Sequence, residues 1–171
     1  MIKKYLFLTF IIILFSNSVY SAENASEKDG IWNTGADDIS HMKGKNSNFK
    51  KGKDALKQAK RYEKKGKSVK AKKRFNDAIK FFTLANDESP NDPDILSFLG
   101  YCLGKVGDFL MAEIRYEQGL KINPQHIGIN EYLGELYVET KRIDKAKKRL
   151  KVLENCKCEE FNKLQNLISK Y

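Results

Sequence analysis

One stretch of this chain returns 34 residues later. Residues 97–124, SFLGYCLGKVGDFLMAEIRYEQGLKINP, reappear from residue 131 as EYLGELYVETKRIDKAKKRLKVLENC. Leu99-Gly100 falls on Leu133-Gly134, Leu103 on Tyr137 and Phe109 on Ile143; Ala112 falls on Ala146, Tyr116 on Leu150 and Gly119 on Leu153. Self-similarity at this period marks a supersecondary unit that cannot bury its apolar face alone, so successive copies must stack. The apolar spacing inside each copy is helical, and no long alternating or β-branched run points to a sheet. The expected fold class is all-α: stacked helical hairpins, about three of them, with a C-terminal capping helix.

The residue types explain how such hairpins close. Gly100 and Gly134 let two helices approach where a larger side chain would hold them apart, and Ala112 and Ala146 do the same from the second helix of each pair. Gly107-Asp108 supplies a turn between helices, and Pro93 suits a first helical turn behind Asp92 as its cap. An earlier copy has two readable registers. Counting back from Gly100 reaches Gly66 but puts the turn at KRFN, which lacks turn chemistry. A turn at KKGKS around Gly66 aligns Ala59, Tyr62, Ala71, Phe75 and Ala78. We take the second register, with a second helix about two turns longer than usual. The expected helices are then 50–65, 68–88, 93–105, 108–121, 126–139 and 143–155. EEFNKLQNLISKY follows as the cap, with Phe161, Leu164, Leu167 and Ile168 on one face.

The L-G pair, Tyr137 at the position Leu103 holds in the first copy, then Ala112, Tyr116 and Pro124 resemble the tetratricopeptide repeat family, whose period is also 34. Residues 93–124 match the pattern well, ending at Pro124; in the next copy Cys158 stands where the closing proline is usual. Taken with the termini described below, residues 50–171 look like small exported tetratricopeptide-repeat proteins of Gram-negative bacteria. The resemblance implies that the first helices of successive repeats line a concave groove that receives an extended peptide or a partner helix. Placed on this chain, the groove positions are Lys57, Lys60 and Lys64 in the first repeat. The second contributes Phe98, Tyr101 and Lys105, and the third Glu131, Tyr132 and Glu135. The groove is expected to run from basic through aromatic to acidic. Rings give apolar contact and charge sets orientation. Against this stands the plainer expectation that Phe98 and Tyr101 only pack against the preceding linker or a neighbouring helix.

The two ends of the chain bear on its compartment. Lys3 and Lys4 precede an apolar run from Tyr5 to Phe15, and Val19 and Ser21 are spaced for cleavage before Ala22. That is the pattern of a secretory signal over residues 1–21, and the run is short of the roughly 20 residues a membrane span needs. The expected location is periplasmic; the alternative is inner-membrane anchoring by an uncleaved signal. Residues 22–49 show no sustained apolar period and are rich in Gly, Asn, Asp and Ser, so a flexible linker is expected there, with Trp32 as its one oddity. The formal charge of +10 falls to +8 without Lys3 and Lys4, and thirteen Lys or Arg lie in residues 50–74 against Asp54 and Glu63. In an exported protein such charge favours acidic proteins or an anionic envelope surface over nucleic acid.

Near the other end stands ENCKCEEF. Cys156 and Cys158, two residues apart, cannot pair within a regular helix, but in a loop before the cap the bond is open to them and an oxidising compartment favours it. Free or redox-active thiols and a soft-metal site such as Cu(I) are the other readings of the pair. Cys102 occupies a small-residue position and reads as a packing residue. The chain holds no Gly-rich phosphate loop, no HExxH and no histidine pair at ligand spacing, and His126 has no evident partner. No enzyme activity, cofactor or metal is expected. The expected function is an interaction scaffold of the bacterial envelope whose groove binds a partner protein. The alternatives are an anionic lipid or lipopolysaccharide binder acting through the basic helices, and a thiol- or copper-handling protein acting through Cys156 and Cys158.

Overall fold

The computed structural model describes residues 37–171, with side chains from residue 47 onward, as seven helices. These are α1 (Asp37–Lys64), α2 (Ser68–Glu88), α3 (Pro93–Val106), α4 (Phe109–Ile122), α5 (Ile127–Glu139), α6 (Ile143–Leu153) and α7 (Glu159–Ile168). The first six form three antiparallel hairpins in chain order, and α7 rests on the last. The signal at 1–21, the cleavage point before Ala22, Trp32 and residues 22–36 of the linker lie outside the described residues.

The hairpin turns share one geometry. Backbone N–H groups of Lys67, Asp108 and Arg142 donate to the carbonyls of Tyr62, Leu103 and Tyr137, five residues back in each case. This closure needs a left-handed residue just before the donor. Gly66 (φ 67°) and Gly107 (φ 94°) meet the need without strain, whereas Lys141 (φ 59°) meets it with a side chain attached. The register with its turn at Gly66 is therefore the one formed, and Arg74 and Phe75 of the rival turn lie inside α2. At 21 residues α2 exceeds the 14 of α4 by two turns, as its apolar pattern requires.

Two expectations are corrected. Composition ends the linker at residue 49 and starts the first helix at Lys50, but α1 starts at Asp37. Its residues 48 and 49 are tied to the later helices through Asn48 and Phe49. The Phe49 ring lies 5.9 Å from Phe82 and 5.7 Å from Phe98, and Asn48 donates to the Glu88 carboxylate at 2.6 Å. Those long-range contacts offset an ordering cost that the polar composition of the stretch could not meet by itself. The second correction concerns Gly134, expected to admit the other helix of its own hairpin. A Cβ on Gly100 would lie 2.6 Å from the Tyr116 ring, within its hairpin as expected. A Cβ on Gly134 would instead lie 2.5 Å from Leu164 of α7. Leu150, at the position corresponding to Tyr116, is only half-buried, and the capping helix fills the place above Gly134.

The small residues carry the interior. Ala59, Ala78, Ala112 and Ala146 are fully buried, surrounded by Phe75, Phe82, Leu99, Tyr116, Ile129 and Leu133. Between the second and third hairpins, Arg142 donates to both oxygens of Glu113 (2.9 and 2.8 Å) while its guanidinium lies 4.6 Å from the Tyr137 ring. His126 does have a partner: Nδ1 accepts the N–H of Ile129 as the α5 cap, so Nε2 carries the ring hydrogen and donates it to Asp94, 3.1 Å away.

Candidate partner-binding groove

The first helices of the three hairpins, α1, α3 and α5, share a face that carries two clefts. One, of about 470 Å³, is lined by Lys53, Asp54, Leu56, Lys57 and Lys60 of α1 and by Phe98 of α3. The other, of about 280 Å³, is lined by Glu63 of α1, Tyr101, Gly104 and Lys105 of α3, Tyr116 of α4, and Tyr132, Glu135, Leu136 and Glu139 of α5. Lys60 and Tyr101 join them: the ammonium of Lys60 sits 4.5 Å from the centre of the Tyr101 ring. Seven of the nine residues assigned to the groove from sequence thus border one cleft or the other.

The remaining two stand apart. Lys64 is exposed at the last turn of α1 and borders neither cleft. Glu131 is 4% exposed, covered by α7, with Lys163 Nζ 3.9 Å from its carboxylate. It is a buried acid under the cap, not an open groove position. Phe98 has two roles: one part of it borders the basic cleft, while its ring stacks on Phe82 at 5.4 Å and 11° and meets Phe49. The plainer expectation for Phe98, packing against the preceding segment, accounts for most of that ring.

Helical phase positions the rest. Tyr101 and Lys105 are four residues apart on α3, and Glu135 and Glu139 are four apart on α5, so each pair lies on one face over successive turns. Glu139, Glu63 and Tyr116 were not assigned to the groove from sequence. The spacing from Glu135 could have found Glu139, and that from Lys60 could have found Glu63. Tyr116 belongs to a second helix and reaches the cleft only because Gly100 lets its ring lie against α3.

Burial and charge tune these groups. The Tyr101 and Tyr132 rings sit 4.8 Å apart at 50°. Burial pushes the Tyr132 hydroxyl up to about 12, with Glu131 and Glu135 adding to the effect. Tyr101 is raised further, by burial and then by Glu63. Both stay neutral phenols that can donate a hydrogen bond. Burial also raises Glu135, against the pull of Lys105, Lys163 and Lys60, and lifts Glu131 to about 7. Lys105 Nζ pairs with Glu63 at 3.0 Å. Cys102 is buried and its thiol is pushed up to about 12 by that burial, which leaves it unreactive packing material.

Cys156 and Cys158 are joined to each other in the loop between α6 and α7, with Lys157 between them at φ 50° and Cys158 immediately before the first residue of α7. Among the described residues no group of three or more His, Cys, Asp or Glu is placed to hold a metal, and no helix is long and apolar enough to cross a membrane.

No protein-family model matches the sequence, and no curated protein matches it either. A solved structure does: the first TPR of Spaghetti (RPAP3) bound to HSP90 peptide SRMEEVD, at 20% identity, covers 71% of this chain and 94% of its own with a TM-score of 0.51. At that identity the likeness concerns the course of the backbone. With three stacked hairpins, a shared turn geometry and this structural neighbour, the chain has the all-α helical-hairpin fold of tetratricopeptide repeat domains.

Proposed function

We propose that the protein is a protein–protein interaction adaptor of the bacterial envelope that holds a segment of a partner protein across α1, α3 and α5. The observation that carries this reading is the half-buried Tyr101–Tyr132 pair, which lines the acidic cleft and meets the basic one through Lys60. Large rigid rings flanked by opposite charges supply contact area at low entropic cost and a direction for the bound segment. The structural neighbour is bound to a peptide, which supports the same use of the fold. Export rests on the signal at residues 1–21, with retention of that segment as an inner-membrane anchor the alternative; the paired cysteines fit an oxidising compartment.

The test is crosslinked capture from an envelope extract by the full chain, beside a Tyr101→Ala/Tyr132→Ala variant. One protein enriched by the wild type and lost with the variant is the expected result; capture indifferent to both rings would remove the groove from the function. A second reading has its own observation. Of the thirteen basic residues between 50 and 74, only Arg74 makes an ion pair among the described residues, with Asp77. That face would hold an anionic lipid or lipopolysaccharide surface, and vesicle binding that disappears in high salt and with Lys-to-Glu changes on α1 and α2 is its test. A thiol or copper role has no observation of its own beyond the Cys156–Cys158 bond.

A further inference from the structure

We propose that the cleft between α1, α3 and α5 receives the cationic side chain of the bound segment, arginine above lysine, so that the partner's docking segment is basic at that position. The inference rests on the groove reading above and names the chemistry of its occupant. Three carboxylates, Glu63, Glu135 and Glu139, face this cleft; Lys105 lines it and the Lys60 ammonium stands at its rim over the Tyr101 ring. Lys105 is taken by Glu63 at 3.0 Å, and neither Glu135 nor Glu139 has an ion-pair partner among the described residues. On a chain whose formal charge is +10, the cleft is a local exception, and only a cation completes it.

The wall beside those carboxylates is aromatic. Tyr101 and Tyr132 lie 4.8 Å apart; Lys60 at 4.5 Å and Lys105 at 5.6 Å already take the Tyr101 ring, which leaves the Tyr132 ring beside the carboxylates for an incoming cation. A guanidinium fits this combination better than an ammonium: it stacks flat on a phenol ring and presents a fork of donors to a carboxylate. A volume of about 280 Å³ suits one long side chain and excludes a whole helix. An acidic segment placed here would bring a carboxylate against Glu135 and Glu139, with Lys105 already paired to Glu63 and Lys60 held over the Tyr101 ring. Acidic residues of the partner belong on the other side of Lys60, beside Lys53 and Lys57.

The experiment is an array of short peptides on shared random backgrounds with arginine, lysine, citrulline or glutamate fixed at the centre, probed with the full chain. Arginine should be retained about tenfold more than citrulline, which keeps the shape and loses the charge, a difference of about 1.4 kcal/mol. Glu135→Gln/Glu139→Gln should bring arginine down to the citrulline level. Glu139→Gln alone, at an exposed position, should reduce it by part of that amount without any risk to folding. Retention of glutamate peptides above arginine, or an arginine preference that survives the double change, would overturn the inference. If Tyr101→Ala/Tyr132→Ala still lowered all retention, the groove reading would stand. No retention above background by the wild-type chain would overturn both. A concentration-dependent dimer abolished by Tyr101→Ala would overturn the inference in favour of a second copy as occupant.

Discussion

The two ends of this helical array close their cores in opposite ways. At the N-terminal end the first hairpin lengthens its own helices: α1 has 28 residues and α2 has 21, against 13 and 11 for α5 and α6. The extra turns bring Phe49 over Phe82 and Phe98 and make an aromatic cluster shared by α1, α2 and α3. At the C-terminal end the helices stay short, and a separate ten-residue helix, α7, is laid across them after the Cys156–Cys158 turn. Leu164 of that helix fills the place above Gly134, and Lys163 reaches the buried Glu131. An end whose core is shared should fail cooperatively with its neighbours, whereas a docked end should fail alone.

The largest effects test that contrast directly. Phe82 is fully buried where α1, α2 and α3 meet, and Phe82→Ala should cost about 4 kcal/mol. The loss should appear as a lower urea midpoint and faster amide exchange throughout α1, α2 and α3. Leu164 is equally buried, and Leu164→Ala should cost about 3 kcal/mol, with faster exchange confined to α7 and the adjoining turns of α5 and α6. Equal loss of protection at both ends after Leu164→Ala would show that the cap is part of one cooperative unit, and the contrast would fail.

An effect of similar size comes from the acid that the cap covers. Glu131 is lifted to about 7 by burial, with Glu135 adding and Lys163 opposing. Its folded value lies above its unfolded one, so between about pH 4.5 and 7 the folded state binds more protons and stability falls as pH rises. Glu131→Gln should remove that slope, leaving the variant more stable than the wild type at pH 8 by about 3 kcal/mol and nearly equal to it at pH 4.5. Thermal melts of both proteins across this range would check it. A gain that did not grow with pH would mean the carboxylate is better solvated than its place under α7 implies.

The smallest effect concerns the turns. Gly66 and Gly107 sit in left-handed conformations that Lys141 must adopt in the third hairpin. Lys141→Gly should stabilise by about 1 kcal/mol, since relief of the strained backbone exceeds the added freedom of the unfolded chain. Gly107→Lys, the reverse change, should lower the melting temperature. If neither substitution moved stability, the three turns would be equivalent despite their residues.

Much of this molecule is set by neighbours close in sequence. The repeat spacing, the turn at Gly66, the two extra turns of α2, the Asp92–Pro93 start of α3 and the apolar face of α7 are all local patterns, and each appears where those patterns place it. Helical phase alone also brings Tyr101 and Lys105, or Tyr132 and Glu135, to one face. The tertiary structure decided the rest. Phe49 reads as part of a polar linker until Phe82 of α2 and Phe98 of α3, both far along the chain, meet its ring. Glu131 has the phase of a groove residue, but α7 buries it, and Gly134 serves α7 instead of its own hairpin. Helical periodicity fixes which way a side chain points from its own axis. What waits there depends on chain brought from far away, and with it the burial that decides whether an acid stays charged.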